Sequence, residues 1–267
     1  MNYDAVLADM IAIAREAGAL TLDYFKRFRD LEIGIKGPAD FVSEADKESE
    51  LLIRKFLGTR YPDWSFTGEE FAADERGGDH RWLVDPIDGT TNFINGMHYT
   101  ISIALRRGNE TVCGVLYNPP ADEMFTAMPG QGAYLNGERL KVSEQTDIGL
   151  FNIGTGLPTP GLQLYPGAYQ RLDAIRAPIS SVRVVGSAAN SCAYVAMGRL
   201  TGYFEETGFL DTAAGILLVQ EAGGVVTDWW GRGPEVYERT GTLIVANKAT
   251  HAFLMEKLKD VPVKDPK

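Results

Sequence analysis

Apolar residues recur along the first 28 positions of the chain at intervals of three and four. They are Val6, Leu7, Met10, Ile11, Ala14, Ala17, Leu20, Tyr24, Phe25 and Phe28. Residues at these intervals share one face of an α-helix. The pattern therefore predicts one long amphipathic helix at the start of the chain, with this face buried.

A second helix is predicted to begin just after Ser43. Ser43 has the character of an N-cap, and Asp46, three residues later, fits the acidic position of a capping box. The apolar residues Leu51, Leu52, Ile53, Phe56 and Leu57 then follow at helical spacing. The pair Gly37-Pro38 indicates a loop between the two helices.

Beyond this helix the periodicity changes to that of β-strands. Trp82-Leu83-Val84 is a short apolar run typical of a buried strand. Two β-rich runs, 99–106 and 111–118, flank Gly108-Asn109, which predicts a hairpin. Two further strands are predicted over residues 123–128 and 132–135. The first part of the chain is thus expected to hold two helices followed by an antiparallel sheet.

Helices and strands alternate from about residue 147 onward. Strands are predicted over residues 182–185, 202–205, 225–227 and 243–246, and helices over residues 188–197, 211–222 and 249–258. This alternation is typical of a layered α/β architecture. We expect an α+β part at residues 1–146 and an α/β part at residues 147–267, joined as one compact unit.

The composition is that of a soluble globular protein, with 45% hydrophobic and 23% charged residues among 267. The 26 Lys and Arg against 36 Asp and Glu give a net charge of −10, which disfavours nucleic acid or an anionic membrane as a partner. An anionic substrate would then need a local cation, and metal ions are the first candidates. The start of the chain lacks a signal-peptide pattern, and no apolar run long enough for a membrane span occurs, so we expect a cytoplasmic protein.

Few side chains other than acids are candidates for chemistry. Cys113 and Cys192 form no C-x-x-C pair, so we expect two buried thiols rather than a disulfide or a structural zinc site. The histidines are His80, His98 and His251, and none belongs to an H-E-x-x-H motif. The chain has neither a P-loop sequence nor a G-x-G-x-x-G after a strand.

The motif Asp85-Pro86-Ile87-Asp88-Gly89-Thr90 follows the apolar strand at 82–84. On such a turn the two Asp side chains can face one point, with the Ile87 carbonyl between them. Two carboxylates and a carbonyl form an oxygen-only donor set, which suits Mg²⁺ better than zinc. The N–H groups of Gly89 and Thr90 then offer a site for a phosphate. The structural alternative is an Asp-rich turn held by its own hydrogen bonds.

Two other acidic positions accompany this motif. Gly68-Glu69-Glu70 follows a strand-like run, and Asp211 opens a helix that continues with small residues. Taken alone, the first motif could be a solvated acidic loop and Asp211 a plain helix N-cap.

Together these motifs resemble the inositol monophosphatase family. In the order of that family, the chain has Lys36 and then Asp40-Phe41-Val42-Ser43-Glu44-Ala45-Asp46, Gly68-Glu69-Glu70, Asp85-Pro86-Ile87-Asp88-Gly89-Thr90-Thr91-Asn92-Phe93, Gly186-Ser187-Ala188-Ala189 and Asp211-Thr212-Ala213-Ala214-Gly215. The resemblance covers nearly the whole chain, from about Ala5 to about Leu258. It implies a layered αβαβα sandwich of the inositol monophosphatase and fructose-1,6-bisphosphatase type, usually as a homodimer.

The resemblance also implies a role for each matching residue. Two or three Mg²⁺ ions would bind Glu69, Asp85, the Ile87 carbonyl, Asp88 and Asp211. Asp46, Thr90 and Glu69 would act in catalysis, with Asp46 and Thr90 orienting the attacking water. The phosphate would be received by Gly89 and Thr90, and the rest of the substrate by Asp88, Ala188 and Glu205. Lys36 and Asp40 would belong to a mobile loop.

The implied function is a Mg²⁺-dependent phosphomonoesterase that hydrolyses inositol monophosphates and similar small polyol phosphates by attack of a metal-activated water. Lithium sensitivity is implied in the same way. Thr91-Asn92-Phe93 resembles the inositol branch of the family more than its other branches. The same fold could instead act on fructose 1,6-bisphosphate, 3′,5′-bisphosphate nucleotides or histidinol phosphate.

Three further alternatives remain. An aspartyl-phosphate mechanism needs Asp-x-Asp-Gly-Thr, whereas this chain has Asp-x-x-Asp-Gly-Thr, so it is disfavoured. A non-catalytic protein-interaction or regulatory module is the candidate of another class. The family usually has Trp where this chain has Leu210, and the preceding segment is one residue shorter than is common. Glu205 and Glu206 are therefore alternative substrate contacts.

Overall fold

The computed structural model describes residues 2–30, 33–37, 40–157, 167–233 and 238–261, and leaves out the side chains of residues 30, 33, 35–37 and 40–42. The helices are α1 (Tyr3–Phe25), α2 (Glu44–Arg60), α3 (Thr90–Ile94), α4 (Ala168–Arg176), α5 (Ala188–Ala196), α6 (Phe209–Glu221) and α7 (Lys248–Leu258). The strands are β1 (Ile33–Gly37), β2 (Asp40–Ser43), β3 (Ser65–Gly68), β4 (His80–Asp88), β5 (Thr100–Arg107), β6 (Glu110–Asn118), β7 (Glu123–Met128), β8 (Gly132–Leu135), β9 (Glu138–Arg139), β10 (Asn152–Thr155), β11 (Ser181–Arg183), β12 (Gly202–Glu206), β13 (Val225–Thr227) and β14 (Thr242–Ala246).

The predicted first and second helices are confirmed. Helix α1 starts after Asn2, whose side chain accepts the Asp4 N–H, and buries the predicted apolar face against α2 and β6. It ends at Phe25 rather than Phe28, because Phe28 lies in a separate 3₁₀ turn. Helix α2 begins directly after its predicted cap, Ser43. The strand pair β1–β2 was not predicted, and Pro38 of the predicted loop lies outside the described residues.

A seven-stranded sheet with the order β3-β4-β5-β6-β7-β8-β9 forms the centre of the first part. The predicted hairpin joins β5 to β6, and the strands from β4 to β9 are antiparallel. Only β3 runs parallel to its neighbour β4. Strand β4 is longer than the predicted run at 82–84, because it continues through the acidic motif to Asp88. The sheet therefore carries the acids at its edge, where β4 ends beside β3.

A second, five-stranded sheet has the order β11-β10-β12-β14-β13. Strand β10 is parallel to β11 and β12, whereas β14 is antiparallel to both of its neighbours. Strand β10 and helix α4 were not predicted. The predicted strand at 182–185 is observed as β11, which ends at Arg183 and leaves Val184 exposed.

Helices α5 and α6 form a layer between the two sheets. One buried cluster joins their side chains to Leu116 and Phe125 of the first sheet and to Tyr203 and Val245 of the second. Another cluster lies between the first sheet and α1 and α2, and a third packs α4 and α7 on the outer face of the second sheet. This order of layers is the expected αβαβα sandwich. Cys113 and Cys192 are buried free thiols, as predicted.

None of the helices in the described ranges combines the length and the apolar character that crossing a bilayer needs.

Candidate active site

The parallel pairing of β3 with β4 places the Gly-Glu-Glu motif beside the first aspartate. Gly68 pairs with Val84, so Glu69 and Asp85 leave the two strands side by side. This pairing brings the carboxyl group of Glu69 beside that of Asp85. Burial, followed by the negative charge of Glu69, raises the pKa of Asp85 well above its usual value. Glu69 itself is exposed, whereas Asp85 is only 2% exposed.

The backbone between Asp85 and Asp88 is shaped by a break in the pairing of β4 with β5. The register shifts between Asp85 and Asp88, which releases the intervening backbone from the ladder. The Ile87 N–H donates to Asp85 Oδ1 at 2.9 Å, and its carbonyl oxygen lies 3.3 Å from Thr90 Oγ1. Gly89 then adopts φ 93°, a conformation that glycine reaches without strain. The predicted turn over residues 85–88 is therefore wrong, because these residues form an irregular end of strand β4 and the turn itself falls at Gly89.

Asp88 extends from the first sheet to the start of helix α5. Its Oδ2 accepts the Ser187 hydroxyl and, at 2.8 Å, the Ala189 N–H. Burial raises the pKa of Asp88 to about 6, although these donors and the Ala188 N–H oppose the shift. Asp88 and Ala188, two predicted substrate contacts, are therefore adjacent.

Asp211 reaches the same region from helix α6. The helix begins at Phe209 with Gly208 as its N-cap, so Asp211 lies in the first turn and the N-cap alternative is wrong. Thr207 Oγ1 lies 3.4 Å from Asp211 Oδ2. Burial and then the charges of Asp88 and Glu69 raise the pKa of Asp211 well above its usual value. The four predicted acids therefore act on one another electrostatically, although three separate parts of the chain supply them.

Asp46 caps helix α2 and also contacts Thr90, so its predicted catalytic role stays a prediction that capping does not exclude. Its Oδ2 accepts the Ser43 N–H at 2.9 Å and the Ser43 hydroxyl at 2.6 Å, so it caps helix α2. Its other oxygen, Oδ1, lies 3.4 Å from Thr90 Oγ1. Asp46 is fully buried. Capping and contact with Thr90 are thus compatible, because each uses a different carboxylate oxygen.

The alternation of strand β12 separates the two candidate substrate contacts. Burial and then the charge of Asp88 raise the pKa of Glu205 to about 7, while the hydrogen bond from the Tyr203 hydroxyl opposes this shift. Glu206 lies on the other face of the strand, where its charge acts on the buried guanidinium of Arg171. Glu205 is therefore the one that faces the acidic cluster.

For the predicted loop and phosphate-binding residues, the structure gives the position of each in the backbone. Lys36 lies in β1 and Asp40 in β2, but their side chains are outside the described part of the chain. Their assignment to a mobile loop stays a prediction. Gly89 and Thr90 stand at the start of α3, directly after Asp88.

The donor atoms of the cluster fit a magnesium site. All of them are carboxylate or carbonyl oxygens, and buried like charges that raise one another's pKa are stabilised by a cation. Within the described residues, no three Asp, Glu, His or Cys side chains are already arranged around a single point as ligands. The carboxylates instead bond to neighbouring groups such as Ser187 and Thr207.

Sequence reasoning did not assign roles to three supporting hydroxyls: Ser187, Tyr203 and Thr207. Ser187 had a local signal, because it precedes a helix and is its N-cap, accepting the Asn190 N–H at 3.1 Å. Tyr203 and Thr207 had no local sequence signal, because their contacts depend on how β12 and α6 pack.

Comparison with known proteins is consistent with this arrangement. The model of the Inositol monophosphatase family matches residues 2–262. The chain is 38% identical over 263 residues to an inositol-1-monophosphatase of Rhizobium meliloti, covering 97% of this chain and 98% of that protein. It is 38% identical over 252 residues to Nus factor SuhB of Pasteurella multocida, covering 93% and 94%. The crystal structure of extragenic suppressor protein suhB from Bartonella henselae superposes with a TM-score of 0.90 at 38% identity, covering 96% of this chain and 99% of that one.

Proposed function

The chain belongs to the inositol monophosphatase family, and so to a superfamily of phosphatases, and we propose that it hydrolyses inositol monophosphates and similar small polyol phosphates with Mg²⁺. The observation that carries this proposal is the electrostatic coupling of Asp85, Asp88 and Asp211 with Glu69, next to the Thr90–Asp46 pair. Such a cluster attracts divalent cations, and a cation allows a phosphate to approach an acidic protein.

The proposed ligands divide between two ions. Glu69, Asp85 and the Ile87 carbonyl would hold one Mg²⁺, and Asp85, Asp88 and Asp211 would hold another, with a third, weaker ion at Glu69. Bound Mg²⁺ supplies positive charge that stabilises the attacking and leaving oxygens of a phosphoryl transfer.

Thr90 and Asp46 would orient the attacking water. Asp46 Oδ1 is in reach of the Thr90 hydroxyl proton, while Ser43 holds the other oxygen of the carboxylate. When Thr90 donates to Asp46, the lone pairs of Thr90 Oγ1 are left to accept a hydrogen bond from water. The N–H groups of Gly89 and Thr90, which directly follow Asp88 in the chain, would receive phosphate oxygens. These residues position the reactants, and no covalent intermediate on the protein is needed.

A panel of phosphate esters tests the proposed substrate class. With Mg²⁺, we expect phosphate release from inositol 1-phosphate to have a higher kcat/KM than release from fructose 1,6-bisphosphate, adenosine 3′,5′-bisphosphate or histidinol phosphate. A clear preference for one of the other three would change the substrate and keep the reaction. Absence of release from every ester would contradict the proposed function.

Glu205→Gln is expected to change which ester is preferred. The amide oxygen can still accept the Tyr203 hydroxyl, but the charge that faces Asp88 is lost. We expect kcat/KM for inositol 1-phosphate to fall about tenfold, because a lost hydrogen bond to a substrate hydroxyl costs this much or more. p-Nitrophenyl phosphate, which has no ring hydroxyls, should change much less. Glu206→Gln is the matched control, and a larger effect there would reverse the assignment of the two residues.

The non-catalytic role remains a second candidate because of one comparison. The relative from Pasteurella multocida is named a Nus factor, not a phosphatase. For this chain, a regulatory role would gain support only if the ester panel released no phosphate. A homodimer and a cytoplasmic location are also proposals, which light scattering and cell fractionation would test.

A further inference from the structure

Glu50 is a fully buried carboxylate that the proposed mechanism does not use. It lies on helix α2 one turn after Asp46, so the two acids share one face of the helix. Asp46 contacts the turn at Thr90, whereas Glu50 reaches the Gly-Glu-Glu motif at the end of β3. One helix face therefore contacts both acidic segments of the first part of the chain.

The Glu50 carboxylate contacts both residues that flank Glu69. Its Oε2 accepts the Glu70 N–H at 2.6 Å. On the other side, it lies so close to Gly68 that a Cβ added there would overlap the carboxylate. Glu69 is thus the middle residue of a three-residue segment that one side chain packs against at Gly68 and hydrogen-bonds at Glu70.

Arg54 neutralises this buried charge and extends the same support. Its guanidinium donates to Glu50 Oε1 at 2.9 Å and to the Ala72 carbonyl at 3.3 Å. The guanidinium also lies over the ring of Phe66, with its carbon 4.3 Å from the ring centre. The ion pair therefore spans the segment from strand β3 to Ala72, with Glu69 inside it.

These contacts limit the conformations that are open to Glu69. Glu69 is exposed, so its side chain has room to turn away from Asp85, its neighbour on the paired strand. A backbone that is contacted on both sides of Glu69 limits the conformations in which it does so. Partners that orient a metal ligand without touching the metal are typically worth about 10-fold to 100-fold in affinity.

We propose that Glu50 is a positioning residue that holds Glu69 ready for a divalent cation, an inference that rests on the proposed function. Both oxygens of the carboxylate are needed, since one accepts from Arg54 and the other from Glu70. Gln at this position has one acceptor oxygen and turns an NH₂ group toward the other donor. This buried position thus requires a side chain with two acceptor oxygens.

The test measures Mg²⁺ alone, through the rise in the thermal unfolding midpoint during a Mg²⁺ titration at constant ionic strength. For Glu50→Gln we expect the half-saturating Mg²⁺ concentration to rise about tenfold relative to the unaltered protein. In the phosphatase assay, the Mg²⁺ dependence should shift by a similar factor, with much of kcat recovered at high Mg²⁺. Glu48→Gln is the matched control, because it makes the same change on the exposed face of α2.

Gly68→Ala probes the same contact from the other side and decides the matter if Glu50→Gln fails to fold. It should also raise the half-saturating Mg²⁺ concentration, since the new methyl group displaces the carboxylate or the segment. A purely structural ion pair would lower the unfolding midpoint and leave the half-saturating concentration unchanged, which would overturn the proposal. If the unaltered protein hydrolyses no ester, the proposed function fails, while the Mg²⁺ titrations still report on Glu50 separately.

Discussion

Asp88→Asn is expected to abolish phosphate release while the protein remains folded. The substitution removes one negative charge from the proposed cation site, and we expect kcat to fall on the order of 10³-fold or more, since charge stabilisation at the reacting oxygens is lost. The fold should persist because the Asn oxygen can still accept the Ser187 hydroxyl and the Ala189 N–H. Steady-state kinetics with inositol 1-phosphate and a thermal unfolding curve measure the two effects.

The stability of this variant separates a site effect from misfolding. Burial raises the pKa of Asp88 to about 6, so its charge opposes folding at neutral pH when no cation is bound. Without Mg²⁺ at pH 8, Asp88→Asn should therefore unfold at the same temperature as the unaltered protein or at a higher one. Glu110→Gln, an exposed residue of the β5–β6 hairpin, controls for the loss of one charge. Near-normal turnover by Asp88→Asn would contradict the assignment of this site.

Removal of divalent cations is expected to abolish activity and to lower stability in a pH-dependent way. Folding raises the pKa of Asp88 to about 6 and that of Glu205 to about 7. Groups with a raised pKa favour the folded state most below their unfolded pKa, near 4, and lose that contribution as the pH rises through the folded value. Metal-free protein should therefore become less stable between pH 5.5 and pH 8.

Mg²⁺ should reverse this loss of stability, because its positive charge compensates the carboxylates that have lost their protons. We expect Mg²⁺ to raise the unfolding midpoint by about 5 °C or more at pH 8, and by less at pH 5.5, where protons already occupy the carboxyl groups. Calorimetry with chelator and then with excess Mg²⁺ at both pH values measures the difference. An equal effect at the two pH values, or none, would contradict a cation site at these acids. Activity that persists in chelator would do so as well.

The sequence predicted those elements whose signals are local. Helix α1 has an unbroken apolar face, and the β5–β6 hairpin has a turn pair between two β-rich runs. Helix α7 also followed its prediction to within one residue, with Asn247 as its cap. In each case the residues that determine the element are neighbours in the chain, so no knowledge of packing was needed.

Prediction from the sequence failed where tertiary packing overrides the local secondary-structure preference. Strand β4 continues through Asp85 to Asp88, although Asp and Pro have low β-propensity, because strand β5 pairs with both aspartates. Strand β10 is a short segment with two polar residues, Asn152 and Thr155, and it becomes a strand because β11 and β12 flank it. Such contacts join residues far apart in the chain and leave no local pattern.

Some residues of the candidate site could likewise be predicted from local motifs, whereas others required the structure. The acids were found because their motifs are contiguous and resemble a family pattern. The choice between Glu205 and Glu206 needed the direction of strand β12, which only the structure gives. Glu50 was missed altogether, since on α2 it looks like any other acid in a charged helix until its contact with Glu70 is seen.

The link between Asp88 and helix α5 also determines when the site can form during synthesis. Asp88 and Ser187 are 99 positions apart, and Asp88 and Ala189 are 101 apart. At ribosomal speeds of about 5 to 20 residues per second, roughly 5 to 20 seconds pass between the synthesis of Asp88 and that of these two partners. A nascent chain that ends before α5 therefore carries Asp88 without these two hydrogen-bond donors. The acidic cluster is therefore complete only late in translation, after α5 and the Asp211 helix have been made.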